Sequence, residues 1–407
     1  MNTTIQVRRV NIHIDLIEYI VLLFPILGEN IVSSVLGSQA SRVMSVLSCV
    51  VILIICVVHK IRISKFNACL LLLIVHHIII TLAATLLGTA ITATNNIITP
   101  YGLVGYFMLF LLIDAFISNS NKAVIMFKSI ELIMMISVFL NFFFTADMQI
   151  ANNGSILLEA LNTGYTNSRQ WLFGHRNMIF IHHLMWILFS YIVCKIENRN
   201  YTKLFIFQIA FTMIVGIVSW NSTMMLGTFV IAVLGMFRKK LFSGITMMHY
   251  AFAYALLEIG IVFFRLQDKF SYLIINILHR NLSFTGRTRI WDYYIKQFTN
   301  GDVLYKLFGN LGETALTNNS HNMLLGLLVF TGMIGLVLYL FLFYMATTRL
   351  IKESPSDMAA FVSIIIFGCL INSLAMEFYL QPMLAMFIGY DIKEIAGLSI
   401  SSNRNVK

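Results

Sequence analysis

Twelve apolar runs, parted by polar breaks, decide what this chain can become. They span residues 16–36, 43–59, 67–91, 101–118, 123–145, 177–196, 203–220, 222–237, 242–264, 322–346, 358–375 and 377–392. A helix needs roughly 20 apolar residues to cross a bilayer. Of the 407 residues, 58% are hydrophobic and only 11% charged. A soluble domain carries about 25% charged residues, and no water-facing fold hides this much apolar surface. The expectation is an all-α integral membrane protein of about twelve transmembrane helices, forming one polytopic domain over 1–407. Arg8 and Arg9 stand ahead of Asp15 and Glu18, which enter the first run. That pattern reads as a retained first helix, not a cleaved signal.

Charge sets the orientation. The net charge is +10, which in a membrane chain reflects topology and excludes nucleic acid as the working partner. With the N-terminus inside, every inside loop is basic, and these loops hold most of the Lys and Arg. Three of the six outside loops hold none. Both termini are therefore expected in the cytoplasm. The five cysteines all lie inside apolar runs, with no CxxC or CxxH spacing, so neither a disulfide frame nor a metal knuckle is expected.

One outside segment breaks the charge rule. The loop 265–321, between the ninth and tenth runs, carries seven basic residues against four acidic ones. Positive charge retained against the bias points to an anion on the outer face. Within it lies the most polar stretch of the chain, Arg280–Asn322. From Thr285 it has the pattern of a short helix. Ile290, Trp291, Tyr294, Ile295 and Phe298 fall on one face, and Asp292 and Lys296 form an i,i+4 pair opposite. Such a helix is expected to lie on the outer membrane surface with its aromatics at headgroup level. Gly286 and Arg287 stand at its start, where free backbone N–H groups and a guanidinium suit a phosphate. Next, Phe308-Gly309-Asn310-Leu311-Gly312 reads as a turn where backbone approaches something closely. Then Ser320-His321-Asn322 opens the tenth run, and His321 titrates in the range needed to take a proton from a hydroxyl. A second outside loop, 146–176, ends in Gly174-His175-Arg176-Asn177. Arg176 there is either a second phosphate contact or a snorkelling surface arginine.

Ionisable residues inside the runs include His76, His77, His182, His183, Asp114, Glu131, Glu258 and Glu377. Such groups are functional candidates by default. Glu377 falls near the outer face and Glu258 at mid-span. No HExxH or carboxylate cluster completes a metal site, and the histidines are expected to be interhelical hydrogen-bonders.

The combination of GRTRIW on an external loop, LFGNLG, and SHN opening a helix resembles the bacterial O-antigen and capsular polysaccharide polymerases (the Wzy family) and the related O-antigen ligases. GHRN is similar to an upstream arginine-bearing element of many such polymerases. The specific likeness covers 174–177 and 285–322, and the rest is alike in hydropathy alone. The resemblance implies a GT-C-type glycosyltransferase of the bacterial cytoplasmic membrane that needs no metal or other cofactor. Its substrate would be undecaprenyl-diphosphate-linked oligosaccharide, handled on the external, periplasmic side. A chain-length regulator and a repeat-unit flippase are expected partners. On these positions, Arg176, Arg287 and Arg289 would hold the diphosphate, and Arg287 and His321 would be catalytic. Glu377 and Asn322 are candidate substrate contacts. The resemblance places no shared catalytic carboxylate here, so the identity of the base stays open.

Two other functions fit less well. An O-antigen ligase, passing the glycan to lipid A-core, shares the chemistry, but GRTRIW and GHRN look closer to the polymerases. A flippase or transporter should place its charges near the midplane between repeats. Here the polar segment is an external loop and no internal repeat is evident.

Overall fold

The computed structural model describes residues 16–61, 63–86, 100–117, 119–143, 173, 178–219, 221–239, 244–272, 287–309, 320–353, 356–374 and 380–404. Among them there are helices and no strand. In chain order these are α1 (Leu16–Leu27), α2 (Glu29–Leu36), α3 (Ser38–Val58), α4 (Lys65–Leu86), α5 (Pro100–Phe116), α6 (Ser120–Phe143), α7 (Ile179–Ile196), α8 (Thr202–Val218), α9 (Ser222–Phe237) and α10 (Met247–Glu258). A π-helical turn, Ile259–Phe263, and a 3₁₀ turn, Leu266–Phe270, follow α10. The chain continues through α11 (Arg287–Asn300), α12 (Val303–Phe308), α13 (Met323–Lys352), α14 (Asp357–Ser373), α15 (Leu380–Tyr390) and α16 (Ile392–Arg404).

Each apolar run carries an apolar helix. Among the described residues, five helices are long and apolar enough to cross a membrane alone, and the other runs hold shorter apolar helices of 10–17 residues. The protein is thus an all-α membrane protein. The outer faces agree: α3 exposes Val43, Leu47, Ile54 and Val57, and α10 exposes Met248, Phe252 and Leu256. Contiguous apolar surface of this kind needs lipid, or a partner, to cover it.

The helices group into two compact units. The first holds α1–α3, most of α5, α6–α9 and α16. Its centre is α7, buried at every position except Lys195. Small residues let neighbours approach it: a Cβ on Gly227 of α9 would lie 2.4 Å from the Phe180 ring. A polar chain crosses from α7 to α8. The Tyr201 hydroxyl donates to Gln208 Oε1 at 2.6 Å, Gln208 Nε2 donates to Ser190 Oγ at 2.9 Å, and His183 Nδ1 meets Thr212 Oγ1 at 2.9 Å. At one end of this unit, Glu197 pairs with both Lys128 and Arg199.

The second unit holds α4 and α10–α15, packed about α13. Asn322 caps α13, its Oδ1 accepting from the Leu325 N–H at 2.9 Å. The helix breaks at Gly332, whose φ of 66° and ψ of −173° no L-residue readily adopts. The end of α12 fills that break. Gly309, with φ 81°, follows α12, and a Cβ there would sit 2.5 Å from the Phe330 carbonyl carbon. The two glycines are each other's clearance. Gly309 thus makes the close backbone approach expected of Phe308–Gly312, while residues 310–312 lie outside the described residues and the spacing gave no sign of Gly332. From α4, His76 Nε2 donates to the Thr331 carbonyl at 2.8 Å, just before the break, and its ring faces Phe308. A kinked helix interrupts its own hydrogen-bond ladder, and His76 supplies a partner there.

Candidate functional site

The loop helix α11 starts at Arg287, within two residues of the start expected from the sequence. Its aromatic face departs from expectation. Trp291 and Tyr294 are 2% and 0% exposed, packed with Val262, Tyr305, Leu325, Val329 and Phe330. Ile290, Ile295 and Phe298 border the same cluster. The face therefore meets protein, not membrane headgroups, because the π turn and the first half of α13 offer it a closed apolar seat. Burying two such aromatics contributes several kcal/mol, more than interfacial partitioning of the same rings would.

The charges on α11 are also arranged differently. Asp292 pairs with Arg265 and not with Lys296. Arg265, in the left-handed region at φ 52°, also donates to the Thr288 carbonyl at 2.9 Å and lies over the Trp291 ring at 5.5 Å. One of the seven cations in this loop is thus employed in holding α11. Sequence reasoning had counted it only as charge.

Trp291 joins α11 to the SHN motif. Its indole Nε1 donates to the Ser320 carbonyl at 3.1 Å. Ser320 Oγ donates to the Asn322 carbonyl at 2.6 Å, folding the tripeptide on itself. Ser320 and Asn322 are fully buried, and the Asn322 Nδ2 donates to the Leu374 carbonyl at 3.4 Å. Asn322 is occupied as a cap and clamp, which gives it a place in the fold in addition to any contact with substrate. His321, between them, is half-buried with φ 52°. Histidine enters the left-handed region more readily than most residues, and here it does so between two buried neighbours that fix the backbone.

Arg287 lies one turn before Trp291 on the same side of α11 and is half-buried, while Arg289 is exposed. As first residue of a 14-residue helix, Arg287 stands at the end where the helix dipole favours an anion. The structure thus joins the helix that begins at Arg287 to the SHN tripeptide through Trp291. Arg176 and Glu377 lie outside the described residues, as do Gly286 and nearly all of the 146–176 loop.

Glu258, which sequence reasoning set at mid-span, is the last residue of α10, where the helix widens into the π turn. It is 5% exposed and faces the Tyr254 and Asn322 side chains. Nothing in the spacing of 254, 258 and 322 revealed this grouping, which depends on how α10 packs beside the start of α13. The other intramembrane histidines take structural positions. His76 and His183 bond between helices as expected, whereas His77 Nδ1 bonds the Leu73 carbonyl of its own helix at 2.9 Å. His182 instead stacks on Phe173 at 3.9 Å. Among the described residues no three His, Cys, Asp or Glu side chains group as a metal site. No protein-family model and no curated protein sequence matches this chain.

Proposed function

We propose that this chain is an O-antigen (surface polysaccharide) polymerase. On this reading it is a GT-C-type glycosyltransferase of the bacterial cytoplasmic membrane, with twelve crossings and both termini in the cytoplasm. It joins undecaprenyl-diphosphate-linked repeat units on the outer face, without a metal. The observation that carries the reading is the Trp291–Ser320 bond, which ties the arginine-bearing helix start to the SHN histidine. An anion holder and a proton acceptor then share one small region of a basic loop.

In the reaction, the acceptor sugar hydroxyl attacks the anomeric carbon of the donor glycan. The bond from that carbon to the diphosphate oxygen breaks, and its electron pair leaves with the lipid diphosphate. The hydroxyl proton passes to the His321 imidazole. Arg287, with Arg176 and Arg289, bears the charge that grows on the leaving diphosphate, where preorganised donors act most strongly. Loss of one such donor costs about 10²–10³-fold in rate.

The test is deletion of the gene in its host. A polymerase deletion leaves lipid A-core bearing a single repeat unit. Loss of every repeat unit from the core identifies a ligase instead, and unchanged polymer overturns both readings.

A further inference from the structure

The two helices of the 265–321 loop turn opposite kinds of surface outward. On α11 the exposed side chains are Arg289, Asp292, Lys296, Thr299 and Asn300, all polar. On α12 they are Val303, Leu304 and Leu307, at 71%, 59% and 38% exposure, while Tyr305 is buried. A helix that faces water does the reverse, turning its apolar side chains in and its polar ones out. Three large apolar side chains on one face of so short a helix make a patch that needs a cover other than water.

The position of α12 says what that cover is. Its end fills the break in α13, where a Cβ on Gly332 would lie 2.2 Å from the Leu307 carbonyl oxygen. From Gly332 to Lys352 α13 runs twenty residues, about 30 Å, which is the thickness of a bilayer's hydrocarbon core. Arg349 and Lys352, in the last turn, mark one boundary of that core, so the break marks the other. The helix does not continue outward beyond it. The Tyr339 hydroxyl donates to Met323 Sδ at 3.4 Å, whereas a straight helix would hold these residues about 24 Å apart. The arm Met323–Thr331 therefore folds back, and none of its side chains is exposed, while exposed apolar side chains begin at Met333 and Val337. The break is the apex of α13, and α12 lies against it, where hydrocarbon gives way to headgroups. The charges on this segment suit that level. Asp302 is exposed at the start of α12, and Lys306 is half-buried on a stem long enough to carry its ammonium to the headgroups.

We propose that α12 is an interfacial helix, with Val303, Leu304 and Leu307 inserted among the acyl chains of the leaflet on that side while the outer face of α11 stays in water. The membrane-surface role expected of the loop's aromatic helix thus falls to the short helix after it. None of Arg176, Arg287, Arg289 and His321 takes part, so the contact holds whether or not the chain is a polymerase.

Photolabelling of the wild-type chain in phosphatidylcholine nanodiscs tests this, with a phosphatidylcholine that carries a diazirine near the top of one acyl chain. Trypsin cuts after Arg289, Lys296 and Lys306, so peptide 290–296 reports α11, and peptide 297–306 holds Val303 and Leu304. The second peptide should carry several-fold more label than the first, placed on Val303 and Leu304 by fragmentation. Leu304→Glu disturbs little packing, since Leu304 is mostly exposed, and should remove most of that label. Label on 290–296 equal to or above that on 297–306 overturns the placement, as does label on the exposed face of α3 with none on either loop peptide. Should Leu304→Glu fail to fold, the ratio of the two peptides in the wild-type protein decides alone.

Discussion

Replacing Gly332 by alanine attacks the place where the end of α12 enters the break in the long apolar helix α13. The new Cβ would lie 2.2 Å from the Leu307 carbonyl oxygen, 2.4 Å from its carbon and 2.6 Å from the Gly309 nitrogen. All three are backbone atoms, so no side chain can rotate aside. The residue also holds φ 66° and ψ −173°, a region that costs an L-residue about 1–3 kcal/mol. Overpacking adds about 1–3 kcal/mol, so the total is about 2–6 kcal/mol. Gly309→Ala meets the same contact from the other side, at 2.5 Å from the Phe330 carbonyl carbon. Because either change already separates α12 from the break, the double variant should cost clearly less than the sum. Gly244→Ala is the control, since nothing lies within 4 Å of its added carbon. The assay is the apparent thermal midpoint of the detergent-purified protein at fixed scan rate, read as an order among variants because such unfolding is usually irreversible. A Gly332→Ala midpoint equal to that of Gly244→Ala would refute the docked kink. So would strict additivity of the two glycine substitutions.

Other outcomes follow from the site. Arg287→Ala and His321→Ala should each cut polymer formation by at least about 10²-fold while membrane levels of the protein hold, checked by glycan gel and immunoblot; near-normal chain lengths from both would remove these residues from the site. Arg265→Ala should destabilise the protein by about 1–2 kcal/mol through loss of the Thr288 bond and the Trp291 contact. Asp292→Asn should cost far less, because Asp292 is 68% exposed; equal midpoint losses for the two would contradict this division. Asn322→Ala should lose a cap and a buried tether, about 1–2 kcal/mol by thermal midpoint, whereas Asn322→Asp keeps the cap and should recover part of it. Polymerisation by purified protein should be indifferent to chelator, and dependence on added divalent ion would exclude the metal-free reaction.

Hydropathy made the helices legible, since every apolar run became a helix and Ser320-His321-Asn322 does open one. The helix at 287–300 was legible for the same reason, because Ile290, Trp291, Tyr294 and Phe298 repeat at helical spacing. What that face would meet was not legible. Amphipathicity specifies that an apolar seat exists, but lipid headgroups and a protein groove satisfy it equally. The grouping of Glu258 with Tyr254 and Asn322 was hidden for a related reason: the first pair is local, but the third member comes from a helix more than sixty residues on. Arg265 shows the same limit for charge. A count across a loop cannot distinguish a cation kept for a ligand from one kept for a carbonyl.

These parts make sense together as a means of holding Arg287 still. A guanidinium on a free loop would lose the entropy of ordering that loop each time an anion bound. Here the arginine begins a helix whose aromatic face is buried and whose first turn is clamped by Arg265. That helix packs on a kinked α13, and the kink is held open by α12 through Gly309 and Gly332, with His76 meeting the carbonyl beside the break. An unbroken α13 would be the more stable helix taken alone, since it would need neither the glycine strain nor the histidine. The fold gives up that local stability and gains a rigid seat for α11. Preorganisation of this kind is what a site needs when its task is to stabilise charge as it develops on a leaving group. It follows that variants at Gly309, Gly332 or Arg265 which still fold should lower turnover through looser placement of Arg287, even though none of them is proposed to touch the substrate.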